Sequence, residues 1–415
     1  MKKEETIVRE GRAYGANGAD RANGADRAYG LIIGLIGLMG LMGCSKDEAS
    51  SKEPVGSTEL EVASYVRWFE EADGANGAHR AWEIPSGYEA YGDGVQPIGI
   101  AFTRNGEDPT VGANPGTPKS MIGTFFKSGD KWRTSVEDIQ PNTDYRLYGY
   151  IPHQTAINYT ITGYDGANGS YSTGAIMTLQ NVPTVMPHDL CVVIGAKEGP
   201  DKEHDNGLRR GDFGFHSSAD VKGNFVFLLF DHLYAALRIR MRVHDDYAAL
   251  RTIKLKSLQL NTQAEETKTR KKTDITVKLE ANNGSASPIT DITYDQPAKY
   301  ELIEGGLEFW SNSAGTALTT DLQPFTGYFM PHNINTLILT SVYDVYDKNV
   351  TPEHPDGNLI RQDCKATNTM VLKDLLTGQT VTERGKRYTI DMTIKPTYLY
   401  MLSEPDLDNP TVVVN

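Results

Sequence analysis

No apolar run near the start of this chain is long enough to cross a bilayer, since Leu31 to Gly43 falls well short of the roughly 20 residues that a transmembrane helix requires. Cysteine is scarce as well. Three in 415 residues, at positions 44, 191 and 364, do not make a disulfide framework, and none belongs to a Cys-x-x-Cys pair of the kind that holds zinc or carries redox chemistry. Basic residues are outnumbered 41 to 54, for a net charge of −13, which argues against nucleic acid as a partner. Catalytic signatures are missing too: there is no Gly-x-Ser-x-Gly elbow, no His-Glu-x-x-His and no phosphate-cradling glycine loop that opens a helix. His188/Asp189 and His204/Asp205 are adjacent pairs, and neighbours on a strand point to opposite faces, so they read as scattered surface histidines. Asp406 and Asp408 read as turn residues between Pro405 and Pro410. The expectation is a non-enzyme with no catalytic site, no metal site and no cofactor.

What is present starts with the short apolar run itself. Its length suits the apolar core of a signal peptide, and Leu41, Met42, Gly43 and Cys44 resemble a bacterial lipobox, cut between Gly43 and Cys44. Cys44 is then the acylated mature N-terminus, held in the outer-membrane lipid by more than one acyl chain. The alternative is an ordinary thiol beside a short buried segment. Lys46, Asp47 and Glu48 resemble the tag that sends lipoproteins of Gram-negative anaerobes to the cell surface. Residues 1–43 are expected to be a signal peptide with a low-complexity leading region, because Ala16 to Arg21 recurs unchanged as Ala22 to Arg27 and has no apolar periodicity from which to build a core.

Beyond the anchor, alternation of period two dominates. Leu237, Ile239, Met241 and Val243 alternate with Arg238, Arg240 and Arg242; Tyr388, Ile390, Met392 and Ile394 with Thr389, Asp391 and Thr393; Ile275, Val277 and Leu279 with Thr276 and Lys278. Further strands are predicted over Leu60 to Trp68, Ile98 to Thr103, Tyr145 to Ile151, Ala175 to Val182, Cys191 to Ala196, Asn224 to Phe230, Thr252 to Leu260 and Thr336 to Tyr346. Within Thr252 to Leu260 the apolar parity changes, which predicts a β-bulge near Ser257. The best helical stretch, Asn368 to Leu376, is short, and Lys268 to Lys272 reads as a solvated hairpin loop. The pattern is that of an all-β protein made of sandwiches. Its boundary is expected in the polar interval Lys197 to Gly223, giving domains 44–205 and 206–415. Cys191 and Cys364 either pair or remain separate buried thiols.

Three strings in this order resemble the fimbrillin family of lipoproteins, which build adhesive surface filaments: Tyr145 to His153, an aromatic strand ending in a proline corner; Phe225 to Val243, with Phe230 and His232 leading into an alternating strand; and Gly385 to Tyr400, a penultimate strand pair. The resemblance implies two tandem transthyretin-like Greek-key β-sandwich domains. It also implies that proteolysis after an arginine removes the first strand with its lipid, opening a groove that a neighbouring subunit's strand fills, in a homo- or hetero-polymer. Here that strand is Leu60 to Trp68, with Leu60, Val62, Val66 and Trp68 expected to face inward and Glu61, Tyr65 and Arg67 outward. Arg80, which ends a Gly/Ala/Asn loop, is the first choice for cleavage, and Arg67, inside the strand, the second. The valines of the C-terminal Thr411 to Asn415, Val412, Val413 and Val414, are either the donated strand or the last strand of their own sandwich. The alternative function is a non-polymerising surface lipoprotein that binds glycans or a host protein, with Trp68, Trp82, Tyr88 and Tyr91 as an aromatic platform.

Overall fold

The computed structural model describes residues 58–71, 87–91, 96–104, 121–136, 139–140, 142–164, 174–199, 208–217, 225–262, 268–281, 287–295, 301–331, 336–371, 381–395 and 406–414. Among them strands dominate, and the single helix is four residues long, Asp245–Ala248, capped by the His244 side chain. Each strand predicted from alternation is present. The bulge lies where the parity change put it: Arg251–Asn261 pairs with Thr336–Asp347 with a register shift between Leu255 and Ser257, and Ile253, Leu255, Leu258 and Leu260 are all buried as a result. Two local expectations fail. Asn368 to Val371 belongs to the strand Leu359–Val371, pinned to Thr336–Asp347 by a full antiparallel ladder, so pairing overrides the weak helical signal. Lys268–Arg270 is likewise a strand, paired with Leu302–Glu304, and Lys272 opens the next one.

Five sheets result. The largest contains a barrel-like ring: Cys191–Gly199, Phe225–His232, Thr58–Arg67 (β1), Lys131–Thr134, Met121–Ser128, Ile98–Arg104 and Thr143–Ile151 follow one another. Cys191 and Val192 close it by pairing with Ile151 and Tyr150. A four-stranded sheet, Ile289–Asp295, Lys272–Glu280, Gly174–Pro183 and Asn158–Tyr164, contributes to the same core: Met177, Leu179, Ile275, Val277 and Leu279 join Ile98, Phe102, Tyr148 and Phe230. The Tyr159 hydroxyl ties the two together by donating to the Gly123 carbonyl at 2.8 Å. This first core draws on residues from both sides of the 205/206 boundary, since Phe225–His232 and Lys272–Glu280 belong to it.

A second core lies between two further sheets. One is ordered Val185–Met186, Gln323–Phe329, Ala235–Val243, Lys386–Lys395; the other is Leu307–Ala317, Arg251–Asn261, Thr336–Asp347, Leu359–Val371. Leu237, Ile239 and Met241 from the first sheet meet Ile253, Leu255, Leu337 and Leu339 from the second, each contributing about 1.5–3 kcal/mol by burial. Arg240 turns outward and donates from Nε and Nη2 to both oxygens of Asp391, so the polar face of the alternation is paired rather than merely solvated. On the far side of Lys386–Lys395 sit a two-residue strand, Glu70–Glu71 (β2), and the C-terminal strand Asp406–Val414. Cys191 and Cys364 are both free thiols, one in each core region, so the pairing alternative does not hold.

Candidate functional site

β1 runs parallel to Phe225–His232 through six aligned pairs, from Glu61 opposite Phe225 to Val66 opposite Phe230. On its other edge it is antiparallel to Lys131–Thr134 near its start and to Tyr88–Ala90 near its end. It is therefore held by backbone on both edges. Leu60, Tyr65 and Val66 are buried, with Val62 and Ala63 packed against the same core. Tyr65 departs from the outward orientation expected of it. The ring sheet has packing on both faces here, so the two-faced alternation that assigned Tyr65 to solvent does not apply. Burying Leu60, Tyr65 and Val66 contributes roughly 5–9 kcal/mol before ordering costs, at about 1.5–3 kcal/mol for each side chain.

After β1 the chain crosses directly to the second sheet. The Trp68 amide donates to the Gly87 carbonyl at 2.9 Å, and the Glu70 amide to the Gly385 carbonyl at 2.9 Å. Glu70 and Glu71 then pair, parallel, with Lys386 and Arg387. Side chains reinforce the crossing. Phe69 stacks on the His232 imidazole with ring centroids 3.7 Å apart and an angle of 23° between planes, and the Arg387 guanidinium lies 5.3 Å from the Phe69 centroid. Glu71 Oε1 receives Arg387 at 2.9 Å and lies 3.9 Å from Arg238. Arg67 reaches Glu70 at 2.8 Å and the buried Asp231 carboxylate at 3.6 Å.

Beneath Phe69 is a buried polar cluster. His232 Nδ1 lies 2.7 Å from Asp189 Oδ2, to which the Cys191 thiol also donates at 3.1 Å. Asp231 accepts from Arg384 at 3.1 Å and from the His232 amide at 2.9 Å. Burial depresses the His232 pKa, but the carboxylates of Asp189 and Asp231 outweigh it and hold the imidazole above its ordinary value. Burial and the Asp189 carboxylate together push the Cys191 thiol well up, so it stays protonated. Asp189, Cys191 and His232 are the types of side chain that bind metals, yet their spacings of 2.7 and 3.1 Å are those of hydrogen bonds among themselves. A cleft of roughly 800 Å³ opens alongside, lined by Arg67, Glu70, Asp231, Tyr294, Arg384 and Lys386.

No local sequence signature marks this cluster. Asp189 is the chain neighbour of His188, which is exposed, whereas its partner in space is His232, 1% exposed and not a surface histidine. The bringing together comes from cross-strand register, Cys191 opposite His232, and nothing in the local pattern announces it. The string Phe230-x-His232 was the one available signal. Of the other residues singled out, Gly43, Cys44, Arg80 and Trp82 lie outside the described residues. Tyr88 is buried, Tyr91 packs against the core 6.3 Å from Phe230, and Trp68 is half-buried at the end of β1, so these rings turn inward. Val412, Val413 and Val414 lie in the C-terminal strand, opposite Met392, Asp391 and Ile390, and Asp406 and Asp408 are in that strand rather than in a turn.

No family model matches the chain, and no curated protein matches it. Among solved structures it is similar to a fimbrial protein from Bacteroides vulgatus ATCC 8482, with 14% identity, 86% of this chain and 98% of that chain covered, and a TM-score of 0.32. It is also similar to a candidate cell adhesion protein from Bacteroides uniformis ATCC 8492, with 12% identity, 87% and 97% coverage and a TM-score of 0.32. A candidate adhesin from Bacteroides ovatus shares 8% identity, with 82% and 89% coverage and a TM-score of 0.26.

Proposed function

We propose that this chain is a structural and adhesive subunit of a cell-surface fimbria, exported as an outer-membrane lipoprotein through Cys44 and polymerised by strand exchange after proteolysis removes β1. The observation that carries the reading is the placement of β1: the first described strand of the chain fills a slot between Phe225–His232 and Lys131–Thr134, held by backbone pairing on both edges and a few apolar side chains. Lifting it out leaves two unpaired edges and an apolar trough, which a strand from another subunit can complete. Each subunit then offers a slot at one place and a strand at another, a heterologous contact that extends rather than closes.

Cleavage after Arg80 suits this better than cleavage after Arg67. The Trp68 amide is committed to Gly87, and Arg67 itself is paired with Tyr88, so a protease cannot engage that bond without first unpairing β1. Val412 to Val414 are the proposed donor. They sit on a sheet edge, with Lys386–Lys395 as their one paired neighbour among the described residues, and so can leave without breaking into a sheet. The test is Arg80→Ala with processing by a trypsin-like protease: subunits should stay unprocessed by intact mass and monomeric by light scattering. Assembly that proceeds unchanged removes Arg80 from the scheme.

A further inference from the structure

The slot has two ends with different chemistry. Around Leu60 to Val66 it is an apolar trough that accepts any strand with suitable side chains. Beyond Val66 it becomes a socket whose wall carries His232 and Arg384, already balanced by Asp189 and Asp231, and two cations, Arg238 and Arg387, that are balanced by the segment's own Glu71. The leading segment answers this wall with an aromatic followed directly by two acids, Phe69, Glu70 and Glu71. Two guanidinium groups converge on a single oxygen, Glu71 Oε1, from 2.9 and 3.9 Å. Half-buried as they are, Arg238 and Arg387 lose their shared counterion when the segment leaves, and their mutual repulsion is then uncompensated. The His232 ring, which Phe69 covers, loses its stacking partner at the same moment. Arg240, by contrast, keeps Asp391 and needs nothing from the segment.

We infer that this socket selects the incoming partner: the strand that completes the slot comes from a subunit whose donated segment carries an aromatic residue followed by an acidic pair, placed to stack on His232 and neutralise Arg238 and Arg387. The inference rests on the strand-exchange reading above and adds to it the chemistry of the partner. The chain's own Asp406–Val414 strand contains no aromatic residue and carries its two acids, Asp406 and Asp408, ahead of its valines, so it can fill the trough but does not carry the motif the socket takes. A different subunit with the full motif therefore outcompetes a second copy. Main-chain pairing supplies most of the affinity in such joints, and the socket supplies the discrimination, since a wrong partner leaves desolvated like charges facing one another.

The experiment uses the full-length protein nicked after Arg80 by trypsin, all fragments retained, and fluorescent peptides that compete for the slot. The peptide of residues 58–71 should enter and displace the resident strand. The same peptide with Phe69→Ala, or with Glu71→Gln, should bind at least tenfold more weakly, and raising the salt concentration should shrink the Glu71→Gln difference but not the Phe69→Ala difference. The peptide of residues 406–415 should bind no better than the doubly substituted 58–71 peptide. Entry of all the peptides with equal affinity overturns the socket while leaving strand exchange standing. Failure of every peptide to enter overturns both. Arg387→Gln in the protein serves as the reciprocal check, since it should abolish the effect of Glu71→Gln.

Discussion

Leu60→Ala loosens β1 without touching either bond that a protease would cut, and its consequence can be worked through. Leu60 is 3% exposed, opposite Trp132 in the register with Lys131–Thr134, so truncation removes a well-packed side chain. A buried Leu→Ala change costs 2–5 kcal/mol, and about 3 kcal/mol corresponds to a roughly 100-fold larger population with β1 lifted. The Arg67–Trp68 bond lies inside this pairing, with the Trp68 amide bonded to Gly87, so it is cut only from the lifted state. When reclosing is fast, the cleavage rate follows that population. Limited trypsin digestion followed by mass spectrometry should therefore show the product ending at Arg67 appearing on the order of 100 times faster in Leu60→Ala than in wild type. Leu337→Ala is the control. Leu337 is fully buried in the second core and does not grip β1, so it lowers global stability by a similar amount and leaves the Arg67 rate unchanged. Equal acceleration in both variants means β1 leaves only when everything unfolds, which refutes the idea of a separately removable strand.

Three further expectations follow. His232 has a raised pKa in the folded protein, so its charge contributes stability that is fully present below the unfolded value of about 6.5 and is lost as pH rises through the higher folded value. Thermal melts across neutral to alkaline pH should show that decline, and His232→Gln should flatten it; the same slope in the variant assigns the effect to another group. Val413→Asp should block polymerisation while leaving the monomer's melting curve in place, and loss of monomer folding instead assigns Asp406–Val414 to its own sheet permanently. Gly327→Ala should destabilise by about 1–3 kcal/mol through overpacking, because a Cβ there would stand 2.2 Å from the buried Phe309 ring. Chemical denaturation measures it, and an unchanged midpoint contradicts the packing described here.

The all-β class, eleven of the strands by position and the bulge before Ser257 were legible because each is written in period-two alternation, a local property. Strands such as Met121–Ser128, Asn158–Tyr164 and Leu359–Val371 were not read in advance, since they carry polar or mixed faces and owe their conformation to the neighbour they pair with. Ring closure through Cys191 and Ile151 was equally invisible, because pairing between residues 40 apart leaves no trace in either segment. The leading strand itself was legible as a strand, and its register was not. Tyr65 came out buried, and the continuation through Phe69 to Glu71 into the second sheet, which gives the site its polar half, lay just beyond the stretch the alternation marked. The same limit hid Asp189, Cys191 and His232, which meet only through cross-strand register.

Electron microscopy of the purified mature protein, before and after treatment with a trypsin-like protease, tests the central claim most directly. Replacement of β1 by a neighbour's strand predicts single particles before treatment and rods after it, built of subunits whose intact mass begins past Arg80. Particles that remain monodisperse after complete processing contradict the claim and favour a surface protein that binds its target one molecule at a time.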